Sequence, residues 1–212
     1  CTEIGGDYFD FIPLNGRGYG IVIGDVSGHG VGAALLMASA RSILRGLLVE
    51  SGLTASQIIT DLNTIFVKDV TPGNYMTIVY GLFEPSTGKY SYTNAGHVLP
   101  FIYNPVRKDI KYLESHGSMV GVFDDSEFHE GQVMLEKGEI LVLFTDGITE
   151  HTIETEQEIE LFSKERFEKV IYDSADQPLK TIAENIMEAM QQFSPKEYND
   201  DITLVMIRRN QT

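Results

Sequence analysis

Basic residues and cysteine are scarce in this sequence. It carries 16 lysine and arginine residues against 31 aspartate and glutamate residues, which gives a formal net charge of −15 at pH 7. This excess of negative charge repels nucleic acid and anionic membrane surfaces, so we expect neither as a partner. The one cysteine, Cys1, cannot form an internal disulfide, and no CxxC pair or Cys/His cluster indicates a zinc site.

Long hydrophobic runs and signal-peptide features are also missing. No uncharged apolar run reaches the 18 or more residues of a membrane span, so we expect a cytoplasmic protein without membrane contact. Repeats, low-complexity tracts and linkers rich in proline, serine or charge are absent as well, which predicts a single domain over residues 1–212. The chain starts at Cys1 and enters an apolar stretch almost at once, so we expect a domain of a longer signalling protein.

What the sequence does contain is a series of short β-branched and aromatic runs separated by turn signals, a pattern typical of strands. The predicted strands are Ile4–Ile12, Tyr19–Val26, Tyr75–Glu84, Lys89–Asn94, Val98–Tyr103, Lys111–Leu113, Gln132–Leu135, Glu139–Thr145 and Ile202–Arg208. Hairpin-like connections at 84–88 and 136–138 favour antiparallel pairing of these strands.

Longer segments with apolar residues at helical spacing predict helices. They are Gly30–Glu50, Thr54–Val67, Lys164–Tyr172 and Pro178–Phe193. Thr54 and Gln57 have the spacing of a capping box, which indicates where the second helix begins. Two helices follow the second strand and two precede the last strand. Grouped helices with antiparallel strands predict an α+β fold in which the helices cover sheet faces.

Aspartates stand at the predicted ends of strands. Asp7 follows a pair of glycines, Asp25 and Asp146 close two apolar strands, and Asp200 with Asp201 opens the last strand. Taken singly, each is explained by turn or capping chemistry. Neighbouring antiparallel strands bring one strand's start beside the other's end, however, so these carboxylates are expected to meet at one edge.

Carboxylates that lie this close together repel each other and need a positive charge between them. Two carboxylates about 4 Å apart repel by roughly 1 to 4 kcal/mol at the effective dielectric constants found near protein surfaces. No lysine or arginine is adjacent in sequence to Asp7, Asp25 or Asp146. Hard oxygen ligands without cysteine suit Mg²⁺ or Mn²⁺, so the pattern predicts a two-metal carboxylate site.

Five motifs in a fixed order also carry a resemblance. They are GGDYFDF at 5–11, GDVSGHG at 24–30, NAGH at 94–97, TDGITE at 145–150 and DDITL at 200–204. Over nearly the whole chain they resemble the sporulation stage II E and stress-response branch of the bacterial PPM, or type 2C, metal-dependent protein phosphatases. The resemblance implies an α-β-β-α sandwich, two antiparallel sheets flanked by helices, with metals in a cleft at one end.

The same resemblance assigns residues to two divalent cations, Mn²⁺ or Mg²⁺. Asp25 would bridge the ions with the Val26 carbonyl as a further ligand, Asp146 and Asp200 would hold one ion, and Asp7 the other. These four aspartates would form the catalytic site. Asp201 is the less favoured ligand of its pair. Glu3 is a candidate for the outer part of the site, and Gly28 and Gly30 are expected to let the chain turn closely around the metals.

The function implied is hydrolysis of phosphoserine or phosphothreonine by direct attack of metal-activated water, without a phosphoenzyme. The resemblance further implies a phosphoprotein substrate such as an anti-sigma-factor antagonist, and an N-terminal sensor or receiver domain in the full-length protein. The alternative is a catalytically weak or inactive phosphatase-like domain that serves regulation by binding. A nucleotide-binding loop at 28–32 is a weaker alternative, because its glycine spacing misses GxGxxG.

Several motif residues keep two interpretations. Asp10 belongs to the family pattern without an assigned role, and His97 most simply satisfies a hairpin turn. His29 lies four residues after Asp25 rather than two, so the general-acid role suggested for animal-type relatives does not carry over. The candidates for a phosphate-binding arginine, which are equally explained as solvated surface residues, are Arg17, Arg41 and Arg45.

Overall fold

The computed structural model describes residues 4–48, 52–71, 73–114, 117–154, 159–195, 198 and 200–210. Cys1, Glu3 and the end of the first predicted helix at Glu50 lie outside them. In chain order the elements are β1 (Tyr8–Pro13), β2 (Tyr19–Val26), α1 (Val31–Leu48), α2 (Ala55–Asp69), β3 (Met76–Glu84), β4 (Lys89–Ala95), β5 (Phe101–Asn104), β6 (Asp109–Tyr112), β7 (Gly131–Met134), β8 (Ile140–Phe144), β9 (Thr152–Glu154), β10 (Ile159–Leu161), α3 (Ser163–Ser174), α4 (Leu179–Phe193) and β11 (Leu204–Arg208).

The chain forms two compact units. Unit 1 comprises Cys1–Leu99 and Leu113–Glu136, and unit 2 comprises Pro100–Tyr112 and Lys137–Thr212. Each unit contains an antiparallel sheet and two helices. The single domain expected over residues 1–212 stays a prediction.

The sheet of unit 1 has the strand order β1-β2-β3-β4-β7, with every neighbouring pair antiparallel. The apolar faces of α1 and α2 pack with one face of this sheet into a core. Its central members are Val22, Val26, Leu44, Ile58, Leu62, Phe66, Met76 and Ile78, each fully buried. Thr54 caps α2 as predicted: its hydroxyl accepts from the Gln57 amide, and the Gln57 side chain accepts from the Thr54 amide.

The sheet of unit 2 has the strand order β11-β8-β5-β6, again antiparallel. All five residues of β8 are buried, because the strand lies inside the sheet and reads as a continuous apolar run. Phe144 of β8, Phe101 of β5 and Phe167 of α3 pack in edge-on and tilted arrangements, with ring centroids 4.8 to 6.0 Å apart. α4 contributes Ile182, Ile186 and Met190 to the core.

All nine predicted strands and all four predicted helices are present, with ends shifted by a few residues. One predicted hairpin is wrong. The connection at 136–138 joins β7 to β8, and these strands belong to different sheets. The antiparallel pair β9–β10 was not predicted, because its strands are three residues long and all of β10 is exposed, so no alternating apolar pattern marks it.

By length and composition, α1 is apolar enough to cross a bilayer, with a mean hydropathy of 1.4 over its 18 residues. One such helix is weak evidence for a membrane span, because a core helix of a soluble domain passes the same test. The helix also carries Arg41 and Arg45, and it packs against α2 and β2.

A buried asparagine attaches a long loop to α2. Asn63 is 1% exposed, its amide nitrogen donates to the Phe123 carbonyl over 2.8 Å, and its oxygen accepts from the Gly121 amide over 2.8 Å. The Asn63 side chain therefore fixes the backbone between residues 121 and 123.

We expect Asn63→Ala to destabilise the domain by about 2 kcal/mol or more, because two backbone groups lose their partner. Thr64→Ala, at the exposed neighbouring position, should change the free energy of unfolding by about 0.5 kcal/mol or less. Urea denaturation measures both variants. Equal effects at the two positions would contradict the role given to Asn63.

Candidate metal centre

In unit 1, Asp7 and Asp25 stand beside each other at one end of the sheet. β1 and β2 pair in antiparallel register from Tyr8 opposite Gly24, so the next positions along the two segments are Asp7 and Asp25. Both side chains are half-buried. Asp25 is the second-last residue of its strand rather than the last, and Asp7 lies just before β1. The structure thus brings together the two aspartates expected from this half of the chain.

Gly6 allows this close approach. A Cβ atom at residue 6 would lie 2.5 Å from the Val26 carbonyl oxygen and 3.0 Å from Asp25 Oδ1. The Val26 amide also donates to the Gly6 carbonyl over 3.3 Å. Only a residue without a side chain leaves the backbone at 5–7 this near to the Asp25–Val26 peptide.

After Asp25 the chain turns, and Ser27 fixes this turn through two hydrogen bonds to the Tyr75 backbone. The Ser27 amide donates to the Tyr75 carbonyl, and the Ser27 hydroxyl accepts from the Tyr75 amide, each over 2.9 Å. Gly28 and Gly30 follow with φ of 92° and 76°, the left-handed region that favours glycine. This geometry fits the structural role expected of the two glycines.

In unit 2, Asp146 and Asp200 lie on neighbouring segments at the end of β8. β8 pairs with β11 from Phe144 opposite Leu204, and the Thr145 and Thr203 segments continue the contact through two hydrogen bonds of 3.0 Å. Asp146 therefore follows β8 by two residues. Asp200 and Asp201 precede β11 rather than opening it, because the strand starts at Leu204.

Gly147 has the role in unit 2 that Gly6 has in unit 1. A Cβ atom at residue 147 would lie 2.0 Å from the Asp201 carbonyl oxygen. A side chain there would push the segment carrying Asp200 away from Asp146.

The carboxylates of unit 2 repel one another. Burial raises the pKa of Asp146, and the negative charge of Asp200 raises it further. The pKa of Glu150 is also raised, first by burial and then by the charges of Asp146 and Asp200. Glu150 had no role in the sequence interpretation, although its place four residues after Asp146 put it on the same turn. A cation bound here would relieve this repulsion, and the oxygen donors suit Mg²⁺ or Mn²⁺.

Each pair is incomplete as a metal site. Within the described ranges, no three side chains of the His, Cys, Asp or Glu type come close enough together to hold an ion. The expected convergence of Asp7, Asp25, Asp146 and Asp200 on one pair of ions stays a prediction.

Asp10 is held in an ion pair with α1. Its carboxylate accepts two hydrogen bonds of 2.7 Å from Arg45, lies 3.9 Å from Arg41, and accepts a third bond of 2.9 Å from the Tyr8 hydroxyl. Arg45 is exposed on α1, as the interpretation of a solvated surface residue has it, and it also pairs with Asp10. The Arg45 guanidinium group already donates two hydrogen bonds to the Asp10 carboxylate, so in this arrangement it is not directed at a phosphate.

Arg17 lies far from the unit 1 carboxylates. It belongs to the β1–β2 turn, at the end of β2 opposite to Asp25. There it lines a groove of about 740 Å³ together with Leu14 and Leu82. Proximity to a motif in sequence therefore did not mean proximity in space.

His97 is buried and fixed on both sides. Asn94 accepts from the His97 amide over 2.8 Å and donates to its carbonyl over 3.1 Å, and the His97 ring Nδ1 lies 2.9 Å from Thr77 Oγ1. The expected hairpin turn is wrong, because β4 and β5 belong to different sheets. His29, in contrast, is exposed.

The sequence matches a known protein family. Residues 15–210 match the family described as Stage II sporulation protein E (SpoIIE). The chain belongs to the SpoIIE family. Phosphoserine phosphatase RsbU of Bacillus subtilis is 28% identical over 209 residues, which cover 99% of this chain and 61% of RsbU. The chain thus spans less than two thirds of that relative's length.

Solved structures agree with the SpoIIE assignment. The PP2C phosphatase domain of SpoIIE from Bacillus subtilis, solved with a fragment of its regulatory domain, matches with a TM-score of 0.79 and 20% identity over 98% of this chain and 58% of that one. The catalytic domain of the serine threonine protein phosphatase PstP, in complex with 2 manganese ions, matches with a TM-score of 0.69 and 12% identity over 97% and 92%. The predicted family and the predicted α+β PPM fold are confirmed.

If the four aspartates form the expected metal site, Gly6→Ala and Gly147→Ala should each lower phosphatase activity by more than about 10-fold, because the added Cβ would displace the segments that carry the carboxylates. Gly46→Ala is the matched control: it lies in α1 with open space around its added Cβ, and it should stabilise the helix by about 0.5–1 kcal/mol. Steady-state turnover and thermal melts measure both effects. Full activity in either of the first two variants would contradict the steric argument.

The Asp10–Arg45 pair predicts a dependence of stability on pH. Hydrogen bonds from Arg45, followed by the bond from Tyr8, lower the pKa of Asp10 in the folded protein. The pair's contribution is therefore complete above the unfolded pKa of about 3.9 and is lost as the pH falls through the folded pKa. We expect Asp10→Asn to lower the urea midpoint at pH 7, and this difference to shrink below pH of about 4.

Asp173→Asn is the control for this experiment. Asp173 also has a cationic partner, Lys169 at 2.6 Å, but both side chains are exposed on α3. Its substitution should change the midpoint little at any pH. A difference between Asp10→Asn and the wild type that stays constant down to pH of about 2 would refute the linkage to Asp10 ionisation.

Proposed function

We propose that this domain hydrolyses phosphoserine and phosphothreonine in proteins with the help of two divalent cations, Mn²⁺ or Mg²⁺. The observation that carries the proposal is the placement of Asp146 and Asp200 on adjacent segments at the end of β8, where burial first and then the charge of Asp200 raise the pKa of Asp146. A protein that holds carboxylates in this way loses stability unless a cation offsets the repulsion.

The donor set supports a pair of ions. Asp25 would bridge them with the Val26 carbonyl as a further ligand, Asp146 and Asp200 would hold one ion, and Asp7 the other. Membership in the SpoIIE family and the manganese-bound PstP domain of the same fold support this assignment.

When bound, the ions would supply a nucleophilic water at neutral pH and neutralise the phosphoryl oxygens. The chain's own contribution is positional. Gly6 and Gly147 bring the carboxylate segments close, and Ser27 fixes the turn after Asp25. Water attacks phosphorus directly, so no side chain is phosphorylated, and the serine or threonine hydroxyl leaves with a proton from solvent.

The substrate class is a phosphoprotein, with a phosphorylated anti-sigma-factor antagonist as the specific candidate. The similarity to phosphoserine phosphatase RsbU supports a phosphoserine substrate, and the resemblance carried by the sequence motifs suggests the antagonist. We further propose that the domain works in the cytoplasm under the control of an N-terminal sensor or receiver domain. With a net charge of −15, it would meet neither nucleic acid nor anionic lipid readily.

Hydrolysis of p-nitrophenyl phosphate and of a phosphoserine peptide tests the proposal, with Mn²⁺, with Mg²⁺ and with chelator. We expect turnover only with metal, and a loss of more than about 100-fold in Asp25→Asn and Asp146→Asn, because each removes a ligand charge. Asp173→Asn removes an exposed charge elsewhere and should retain full activity.

Metal-independent turnover, or full activity in both ligand variants, would overturn the proposal. No turnover in the wild type would favour the alternative of a phosphatase-like binding domain. Calorimetric titration with Mn²⁺ then decides whether the carboxylates hold metal at all.

A further inference from the structure

We propose that residues 121–127, which we call the docking loop, bind the phosphoprotein substrate outside the reacting group. The loop would select substrates that carry an apolar side chain next to lysine or arginine. This inference deepens the proposed function and rests on it, because it concerns how a substrate is chosen. Every contact that carries it lies in unit 1.

The docking loop leaves the sheet of unit 1 at the end that carries Asp25. Beyond the last β3–β4 pair, Val120 takes the position beside Met76, with two backbone hydrogen bonds of 2.8 and 2.9 Å. Met76 is at the same time opposite Val26 of β2. Val120 therefore lies two strand spacings, about 10 Å, from the residue that follows Asp25.

Hydrogen bonds and packing hold the backbone of the docking loop in place. Asn63 of α2 accepts from the Gly121 amide and donates to the Phe123 carbonyl. The Ser126 hydroxyl donates to the same carbonyl over 3.1 Å. A Cβ atom at residue 121 would lie 3.2 Å from the Phe66 ring, so Gly121 lets the loop pack directly on α2. A fixed backbone of this kind lowers the entropic cost of binding a partner.

The fixed backbone presents two apolar side chains to solvent. Phe123 is 60% exposed and Val122 is 36% exposed, whereas Val120 and Phe128 on either side of the loop are buried. Aromatic residues are enriched at the buried centres of protein–protein interfaces. An exposed aromatic ring that the backbone cannot withdraw is therefore suited to insert into a partner.

Negative charge surrounds these apolar side chains. Asp124, Asp125 and Glu127 are exposed, and no lysine or arginine pairs with them in the described part of the chain. The sequence from 113 to 136 contains six acidic residues and neither lysine nor arginine. A partner that covers Phe123 must therefore bring positive charge, because like charges across an interface repel each other.

The position of the loop identifies the partner as the substrate. Phe123 follows Val120 by three residues, which span at most about 11 Å. The docking loop thus lies within about 25 Å of Asp25, a distance that about seven extended residues cover. A substrate whose phosphoserine reaches the carboxylates can therefore contact the loop with the same chain. A second copy of this domain, with its net charge of −15, would bring the wrong charge.

Turnover of matched phosphoserine peptides with Mn²⁺ is the first test. One peptide carries a leucine and two lysines about six residues from the phosphoserine, and its partner has glutamates in place of the lysines. Both are made with this group before and after the phosphoserine. We expect kcat/KM to be about 10-fold higher for the better lysine peptide than for its glutamate partner. Equal values for lysine and glutamate peptides would overturn the proposal.

Phe123→Ala should lower kcat/KM for the lysine peptide by about 10-fold, because the ring loses its place in the interface. Turnover of p-nitrophenyl phosphate, which is too small to reach the loop, should stay unchanged. Phe11→Ala is the matched control, since Phe11 is a phenylalanine of the same unit that is 46% exposed on β1. An equal loss of peptide turnover in the two variants would contradict a specific role of the docking loop.

The charge of the loop is tested by combining Asp124→Asn with Asp125→Asn. This variant should lose most of the preference for lysine over glutamate, and its kcat/KM should depend less on salt than that of the wild type. The control combines Asp173→Asn with Glu184→Gln, which removes two exposed charges from α3 and α4. The control should keep the full preference. An unchanged preference in the loop variant would refute the charge argument.

Backbone amide NMR spectra of the metal-free domain test docking without turnover. The unphosphorylated lysine peptide should shift the signals of residues 121–127, and the glutamate peptide should not. Normal p-nitrophenyl phosphate turnover without these shifts would overturn the docking loop and leave the proposed function intact. Shifts at the loop in a domain without metal-dependent turnover would overturn the proposed function and leave the loop as a site for a basic segment.

Discussion

Both units depend on a close contact between two backbone segments at the strand ends, and in each contact one segment must be glycine. Gly6 lies against Val26 in unit 1, and Gly147 lies against the Asp201 carbonyl in unit 2, each at a distance that excludes a β-carbon. The strand pairings lead up to these contacts: β1 pairs with β2 as far as Tyr8–Gly24, and β11 pairs with β8 as far as Leu204–Phe144. Each unit can thereby carry two carboxylates on adjacent segments, a placement that side-chain packing alone would not favour.

That placement has an energetic cost which the cores must offset. The raised pKa of Asp146 reports a carboxylate that is both desolvated and repelled by Asp200. In unit 1, Asp10 lies three residues after Asp7, and its negative charge is neutralised by two hydrogen bonds from the Arg45 guanidinium group. One aspartate of the same motif is therefore satisfied by the protein itself. The pKa of Asp146, in contrast, is raised by burial and by the charge of Asp200.

The sequence predicted the elements better than their connections. β8 and α2 were readable because a continuous apolar run and a capping box are local signals. The connection at 136–138 was misread, since local turn chemistry does not reveal which sheet the next strand joins. The pairing of Arg45 with Asp10 could not be predicted, because the two residues are 35 positions apart and only the fold brings them together. Each aspartate of the motifs was found, but the convergence of the four remains a prediction.

The division of the chain into units bears on how the protein emerges from the ribosome. The polypeptide passes from one unit to the other at Leu99–Pro100, Tyr112–Leu113 and Glu136–Lys137, so neither unit is a continuous segment. β5 is synthesised well before β8, its partner inside the sheet, and β4 before β7. The β5 side chains Phe101, Ile102 and Tyr103, buried in the finished protein, therefore await about 40 further residues of translation before they can pair with β8. A chain that ends before residue 140 would therefore leave one edge of β5 without its partner strand.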